Sequence, residues 1–167
     1  MNNVRKVIAG YPGGVRLEAL VIDDDRILTI HRVNHGEEYY VLPGGGWEEN
    51  ETEEAGVKRE VFEETSLDVK VERLVFSLLI KDDGQKLVYL CKYLGGKPKL
   101  GDFNEKRAMK SGEPQFYEPV WLSIKDLPEK TLYTLEFRDW FLENFKDGKL
   151  PEKSFVMEIT KDRFRSS

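Results

Sequence analysis

Three glutamates, Glu60, Glu63 and Glu64, occupy positions i, i+3 and i+4 of one polar stretch. In a helix this spacing places their side chains on one face, within an arc of about 100°. Carboxylates so close together repel one another, and hard oxygen ligands clustered in this way suit Mg²⁺ or Mn²⁺. A solvated acidic helix face is the alternative interpretation of any glutamate run. The residues around the run decide between the two.

The residues before the glutamates predict a loop followed by a helix. Leu42, Pro43 and the triple glycine 44–46 end an apolar run with residues that break regular structure. Thr52 followed by two acidic residues is typical of a helix start, where the helix dipole favours negative charge. Gly56 costs this helix about 1 kcal/mol relative to alanine, which indicates that packing requires it.

Eight positions of this stretch fit the pattern G-x5-E-x7-R-E-U-x-E-E-x-G-U, in which U is a bulky aliphatic residue: Gly45, Glu51, Arg59, Glu60, Val61, Glu63, Glu64 and Leu67. The pattern resembles the signature of the Nudix hydrolases, the MutT-like proteins among them. One position departs, because Ser66 replaces the last glycine. A serine there either adopts a left-handed conformation at a cost of about 1 kcal/mol, or the helix ends differently.

The resemblance implies metal-dependent hydrolysis of a nucleoside diphosphate linked to another group. It implies that Glu63 and Glu64 bind Mg²⁺ or Mn²⁺ directly and that Gly44 offers its carbonyl oxygen. Glu60 is then a ligand, a base that activates water, or both. A carboxylate beside the metal has a depressed pKa, which weakens it as a base, and the metal compensates by making the bound water more acidic.

Two further parts of the catalytic set follow from the same resemblance. Arg59 and Glu51 are expected to form an ion pair that orients Glu60, although an ordinary helix salt bridge fits Arg59 equally well. Some members of the family take another ligand or base from a later loop. Glu118 is the first candidate here and Glu113 the second, with a plain loop acid as the alternative for either.

For the substrate, we expect Arg32 to contact phosphate and Gly45 to adjoin the bound nucleotide; a strand-edge charge is the alternative for Arg32. The proline that marks ADP-ribose relatives about 15 residues after Leu67 is absent, since Asp82 is there, and the tyrosine of dinucleoside polyphosphate relatives is absent too. These absences favour a nucleoside triphosphate, oxidised ones included. An ADP-ribose or other nucleotide-sugar pyrophosphatase and a non-catalytic nucleotide-sensing module are the alternatives.

The composition limits the partners. The chain has 167 residues, a net charge of −5 and a single cysteine, Cys91, which argues against broad nucleic-acid or membrane affinity and against a disulfide framework. An RNA substrate would need a local basic patch, for which the candidates are Lys97, Lys99, Lys106, Arg107 and Lys110. We expect a cytoplasmic protein with a small-molecule nucleotide substrate, and a homodimer is left open.

The pattern of apolar residues predicts strands near 15–22, 26–33, 39–42, 67–80, 86–94, 115–122 and 155–160. Besides the glutamate helix it predicts a short helix from Ser123 and an amphipathic helix over 131–146. The resemblance implies an α/β/α sandwich with a mixed β-sheet. We expect one domain over residues 1–167, with its core at about 15–146, a short N-terminal lead-in and a C-terminal extension.

Overall fold

The chain folds as a mixed β-sheet between helices, and the computed structural model describes residues 12–101 and 116–163. The strands are β1 (Gly14–Asp23), β2 (Arg26–Asn34), β3 (Glu37–Val41), β4 (Gly44–Gly46), β5 (Val69–Lys81), β6 (Gly84–Tyr93), β7 (Phe116–Ser123), β8 (Leu132–Tyr133) and β9 (Phe155–Thr160). The helices are α1 (Glu53–Thr65) and α2 (Leu135–Asn144), with 3₁₀ turns at Ile124–Glu129 and Lys161–Arg163.

Within the described residues the nine strands form one sheet, in the order β8-β3-β2-β1-β6-β5-β9. The short strand β4 pairs with β1, and β7 pairs with β2. Parallel pairing joins β1 to β6, β3 to β8 and β5 to β9, whereas the other pairs are antiparallel. The sheet is therefore mixed, and the predicted α/β/α sandwich is confirmed.

Alternate residues of β1 point to two separate cores, because successive side chains of a strand face opposite sides. Leu17 lies in a cluster with Val57 and Val61 of α1. Leu20 lies in the other cluster, with Phe137 and other α2 residues. Helix α1 thus covers one face of the sheet, called the α1 face below, and α2 covers the other, called the α2 face.

The predicted elements agree with the structure except at two places. The helix predicted over 131–146 begins only at Leu135, because Leu132 is fully buried and pairs as a strand beside Tyr40. Sheet pairing overrides the helical spacing there. The glycines 44–46, predicted as a loop, form β4 opposite Leu17 of β1. Glycine has a low strand propensity, so the residue types did not indicate this strand.

Some predictions concern residues outside the described ranges: the lead-in over 1–11, most of the polar stretch 95–114, and the candidates Glu113, Lys106, Arg107 and Lys110. Among the helices of residues 12–101 and 116–163, none is long and apolar enough to cross a membrane.

Candidate active site

Helix α1 carries the acidic residues, and both of its ends are set by local chemistry. The Thr52 hydroxyl accepts a hydrogen bond from the Ala55 N–H at 3.1 Å, which caps the first turn as predicted. Ser66 ends the helix in the left-handed conformation, with φ 59°, so the first of its two predicted outcomes is the one observed. Gly56 is buried against β1: an added Cβ would lie 2.5 Å from Leu17 Cδ1, which explains the glycine.

Arg59 and Glu51 form a two-pronged ion pair. Arg59 Nε donates to Glu51 Oε2 at 2.9 Å, and Nη2 donates to Oε1 at 2.6 Å. The backbone N–H of Glu48 also donates to this carboxylate, at 3.1 Å. The hydrogen bond from Arg59 holds the pKa of Glu51 below its ordinary value. The predicted ion pair is present, and its role in catalysis stays a prediction.

The same guanidinium group reaches the other carboxylates. Arg59 Nη1 donates to Glu60 Oε1 at 2.7 Å and to Glu63 Oε2 at 3.5 Å, and Nη2 donates to the Gly46 carbonyl at 3.1 Å. The hydrogen bonds that Arg59 donates to Glu51 and Glu60 raise the pKa of Arg59, so it stays charged. One fixed positive charge therefore offsets the repulsion between Glu60 and Glu63.

Strand β4 lies directly over the acidic face of α1. The backbone N–H of Gly44 donates to Glu64 Oε2 at 3.0 Å. A Cβ added to Gly45 would lie 2.5 Å from Glu60 Cδ and 2.6 Å from Glu60 Oε2, so a side chain there would displace the Glu60 carboxylate. Gly45 thus leaves room for the Glu60 carboxylate, whereas Gly44 is required by the backbone of β1, since an added Cβ would lie 2.8 Å from Glu18 Cα.

Glu64 is the most buried of the three carboxylates. Burial raises its pKa to about 7, against the opposing effects of the Gly44 N–H and of Arg32, whose Nη2 lies 3.9 Å from Glu64 Oε1. Burial and the neighbouring Glu60 also raise the pKa of Glu63. Both shifts mean that negative charge is poorly solvated here. A bound cation would relieve that cost.

The donors present fit a hard divalent cation, because carboxylate oxygens and a backbone carbonyl are the ligands that Mg²⁺ and Mn²⁺ prefer. In the observed arrangement, no three His, Cys, Asp or Glu side chains within residues 12–101 and 116–163 are grouped to hold one ion together. Arg59 Nη1 lies between Glu60 and Glu63. A cation held by both carboxylates would require these side chains to rotate.

Glu118 is not brought to this group. On β7 it pairs with His31 of β2, whereas the adjacent Tyr117 pairs with Arg32. Directly paired residues share a face of the sheet. Arg32 reaches Glu64 on the α1 face, so Glu118 lies on the α2 face. The structure thus does not bring Glu118 to the face that carries Glu64, and its role as a metal ligand stays a prediction.

Sequence reasoning missed a cluster of charges behind Gly44. Arg16 and Glu18 of β1 and Lys86 of β6 lie on the α2 face, and Arg16 Nη2 approaches the Gly44 carbonyl at 3.4 Å. The carbonyl predicted as a metal ligand thus already has one partner. The signal in the sequence was the placement of Arg16 and Glu18 two residues apart in an otherwise apolar strand, which puts both charges on one face.

Comparison with known proteins relates this chain to a family. The model of the NUDIX domain matches residues 15–142. A MutT-like protein of Streptomyces ambofaciens is 42% identical over 78 residues, 46% of this chain and 49% of that protein. An ADP-ribose pyrophosphatase of Methanocaldococcus jannaschii is 36% identical over 94 residues, 53% of this chain and 56% of that protein. The chain thus spans about half the length of these curated relatives.

Solved structures agree on the fold. A Nudix hydrolase of Nitrosomonas europaea superposes with a TM-score of 0.69 at 18% identity, covering 88% of this chain and 78% of that one. An ADP-ribose pyrophosphatase of Streptococcus suis superposes with a TM-score of 0.58 at 24% identity, covering 87% of this chain and 98% of that one. Identities this low show the shared fold alone. With a family match over most of its length, the chain belongs to the Nudix family.

Proposed function

We propose that the protein is a divalent-metal-dependent pyrophosphohydrolase that cleaves a pyrophosphate bond in a nucleoside diphosphate derivative. The observation that carries the proposal is the approach of two buried carboxylates of α1, those of Glu60 and Glu64, to the glycines of β4. Arg59 bridges Glu60 to Glu51 and also reaches Glu63. A solvated acidic helix face would leave these side chains exposed. Here Glu60 and Glu64 are buried, which favours a binding site.

Each residue has a part in this proposal. Glu60, Glu63, Glu64 and the Gly44 carbonyl would hold Mg²⁺ or Mn²⁺. Bound there, the metal supplies charge neutralisation for the pyrophosphate and lowers the pKa of water. Glu60 is the ligand or base nearest to Arg59, and the Arg59–Glu51 pair holds its carboxylate in one orientation.

Arg32 is the proposed contact to phosphate. Its guanidinium lies on the α1 face, 3.9 Å from Glu64 and 4.7 Å from the ring centroid of Tyr117. The ring and the carboxylate restrict the guanidinium to one region beside the acidic group. Arg32 Nε is buried and has no hydrogen-bond partner among residues 12–101 and 116–163. A donor in this state is well suited to a substrate oxygen, because an unpaired buried donor is costly.

The proposed substrate is a nucleoside triphosphate, oxidised forms included, because the residues that mark ADP-ribose and dinucleoside polyphosphate relatives are absent from the sequence. ADP-ribose or another nucleotide sugar is the second candidate. It is favoured by the 36% identity to an ADP-ribose pyrophosphatase of M. jannaschii. Glu118 is left out of the proposed ligand set because of its position on the α2 face.

The test is hydrolysis across a panel of dNTPs, 8-oxo-dGTP, ADP-ribose, dinucleoside polyphosphates and 5′-triphosphate RNA, with Mg²⁺, with Mn²⁺ and with EDTA. Metal-dependent turnover of one class is expected. Glu64→Gln should lower it by at least 100-fold, since one charged ligand is lost. Glu54→Gln is the matched control, because Glu54 lies on the same helix but is exposed and forms an ion pair with Lys58 instead of with Arg59.

The other outcomes distinguish the alternatives. Binding of a nucleotide by folded protein without turnover of any substrate would favour the non-catalytic sensing module. Turnover restricted to 5′-triphosphate RNA would favour RNA end processing. Equal turnover by Glu64→Gln and the wild type would refute the proposed site.

We also propose that residues 1–167 act as one Nudix domain in the cytoplasm, with a nucleotide as the small-molecule partner. The buried single cysteine fits a reducing compartment. Cell fractionation and the mass of the native protein in solution test these points, including the homodimer.

A further inference from the structure

Three charged side chains lie together behind β4, on the α2 face. Arg16 and Glu18 are two residues apart on β1, and Lys86 of β6 pairs directly with Arg16. Glu18 Oε1 is 3.7 Å from Lys86 Nζ and 3.7 Å from Arg16 Nε. The side chain of Glu18 is 7% exposed and that of Lys86 is 14% exposed, whereas Arg16 is 45% exposed. Glu18 is therefore a buried carboxylate between two cations.

Stability alone is a weak explanation for such a group. Taking two charges out of water is costly, and well-packed apolar residues of similar volume often stabilise a protein equally well or better. Burial lowers the pKa of Lys86 despite the opposing effect of Glu18, which shows that the ammonium group is poorly solvated. A functional reason for keeping the charges is suggested by what they contact.

The contact is Gly44. Residue 18 pairs directly with residue 44 across β1 and β4, and an added Cβ at Gly44 would lie 2.9 Å from Glu18 Cγ. Arg16 Nη2 donates to the Gly44 carbonyl at 3.4 Å, while the Gly44 N–H donates to Glu64. A carbonyl oxygen has two lone pairs, so the bond from Arg16 leaves one free for another partner.

We propose that Glu18 is a positioning residue: its carboxylate holds the Arg16 guanidinium against the Gly44 carbonyl and so fixes the glycine that binds Glu64. The effect of these contacts on metal binding rests on the function proposed above. The contacts between Glu18, Arg16 and Gly44 do not depend on it.

The first comparison is between Lys86→Met and the double variant Glu18→Gln/Lys86→Met. Glu18→Gln alone would leave the buried ammonium group of Lys86 without this carboxylate, and the Lys86→Met background avoids that. The two variants then differ in the charge of residue 18. In metal-free protein labelled with ¹⁵N-glycine, the Gly44 amide signal should stay near its wild-type position in Lys86→Met and shift in the double variant. The dissociation constant for Mn²⁺ should rise about tenfold between the two. Lys92→Met, an exposed site on β6, is the control.

Arg16→Gln separates positioning from simple electrostatics. Removing a cation near the site would by itself strengthen Mn²⁺ binding. If Arg16 orients the Gly44 carbonyl, the variant instead binds Mn²⁺ about tenfold more weakly and shifts the Gly44 amide signal. Because Arg16 is nearly half exposed, this variant should fold, and it carries the test even if the double variant does not.

An unmoved Gly44 signal in Arg16→Gln and in any folded double variant overturns the inference, as does tighter Mn²⁺ binding by Arg16→Gln. The proposed function fails separately. A wild-type protein that hydrolyses no nucleotide, or that binds no Mn²⁺, contradicts that function, while the Gly44 signal in metal-free protein still decides the positioning role of Glu18.

Discussion

The two adjacent glycines Gly44 and Gly45 should respond differently to alanine substitution, one by losing stability and the other by losing metal affinity. In Gly45→Ala the three atoms nearest to the added Cβ all belong to the carboxylate of Glu60, whose Cδ would lie at 2.5 Å. That carboxylate is the end of a flexible side chain and can rotate away. In Gly44→Ala the Cβ meets the backbone of β1, with Glu18 Cα at 2.8 Å and the Leu17 carbonyl oxygen closer still. Rotation of a side chain cannot relieve that overlap.

The expected magnitudes follow from these contacts. Gly44→Ala must separate β4 from β1. We expect it to lower the free energy of unfolding by about 3 kcal/mol, the upper end of the range for overpacking. For a protein of this size that lowers Tm by roughly 6–12 °C. Gly45→Ala should change Tm by less than about 2 °C. Its displaced Glu60 carboxylate should weaken Mn²⁺ binding by about 10- to 100-fold, and turnover should fall in proportion.

Thermal unfolding followed by circular dichroism and Mn²⁺ titration calorimetry measure the two effects independently. If Gly45→Ala loses as much Tm as Gly44→Ala, the carboxylate is not free to rotate as described. If Gly45→Ala keeps both the wild-type Tm and the wild-type Mn²⁺ affinity, Glu60 has no part in the metal site.

Three other predictions concern stability and reactivity. Glu51→Gln breaks the ion pair with Arg59, which keeps its bonds to Glu60, and should cost about 2 kcal/mol by urea unfolding at pH 7. Arg59 lowers the pKa of Glu51, so the difference in unfolding free energy between the wild type and Glu51→Gln is complete above about pH 5 and shrinks as the pH falls through the lowered pKa. A difference independent of pH would contradict this ion pair. Ser66→Gly relieves the left-handed residue after α1 and should add about 1 kcal/mol, seen as a rise in Tm of roughly 2–4 °C; an unchanged Tm would show that the serine carries no strain. Burial raises the pKa of Cys91 to about 12, so iodoacetamide at pH 8 should label it only in urea, and rapid labelling of native protein would refute its burial.

The site residues of α1 were predictable because their spacing is local. Glu60, Glu63 and Glu64 share a face of any helix that contains them, and Thr52 marks where that helix begins. The Arg59–Glu51 pair was predictable from the resemblance, although eight residues separate its members. The strand β9 was also predicted at its observed bounds, 155–160.

The position of Glu118 shows where local reasoning ends. Its proximity in sequence to Trp121 indicated a late loop near the site, but the face of β7 on which it lies depends on the register with β2. A shift of one residue in that register would place Glu118, instead of Tyr117, on the α1 face. No property of residues 116–123 alone reports this register. The strand β8 was missed for a similar reason, because its partner Tyr40 lies about 90 residues earlier.

The sequence by itself determined the family, the helix that carries the acids and the chemistry those acids favour, because all three depend on residue types at short, fixed spacing. Only the tertiary structure decided which distant groups meet them: β4 over the carboxylates, Arg32 beside Glu64, and the Arg16–Glu18–Lys86 cluster behind Gly44. These contacts depend on strand pairing and register, which are set by burial across the whole sheet and not by any one segment.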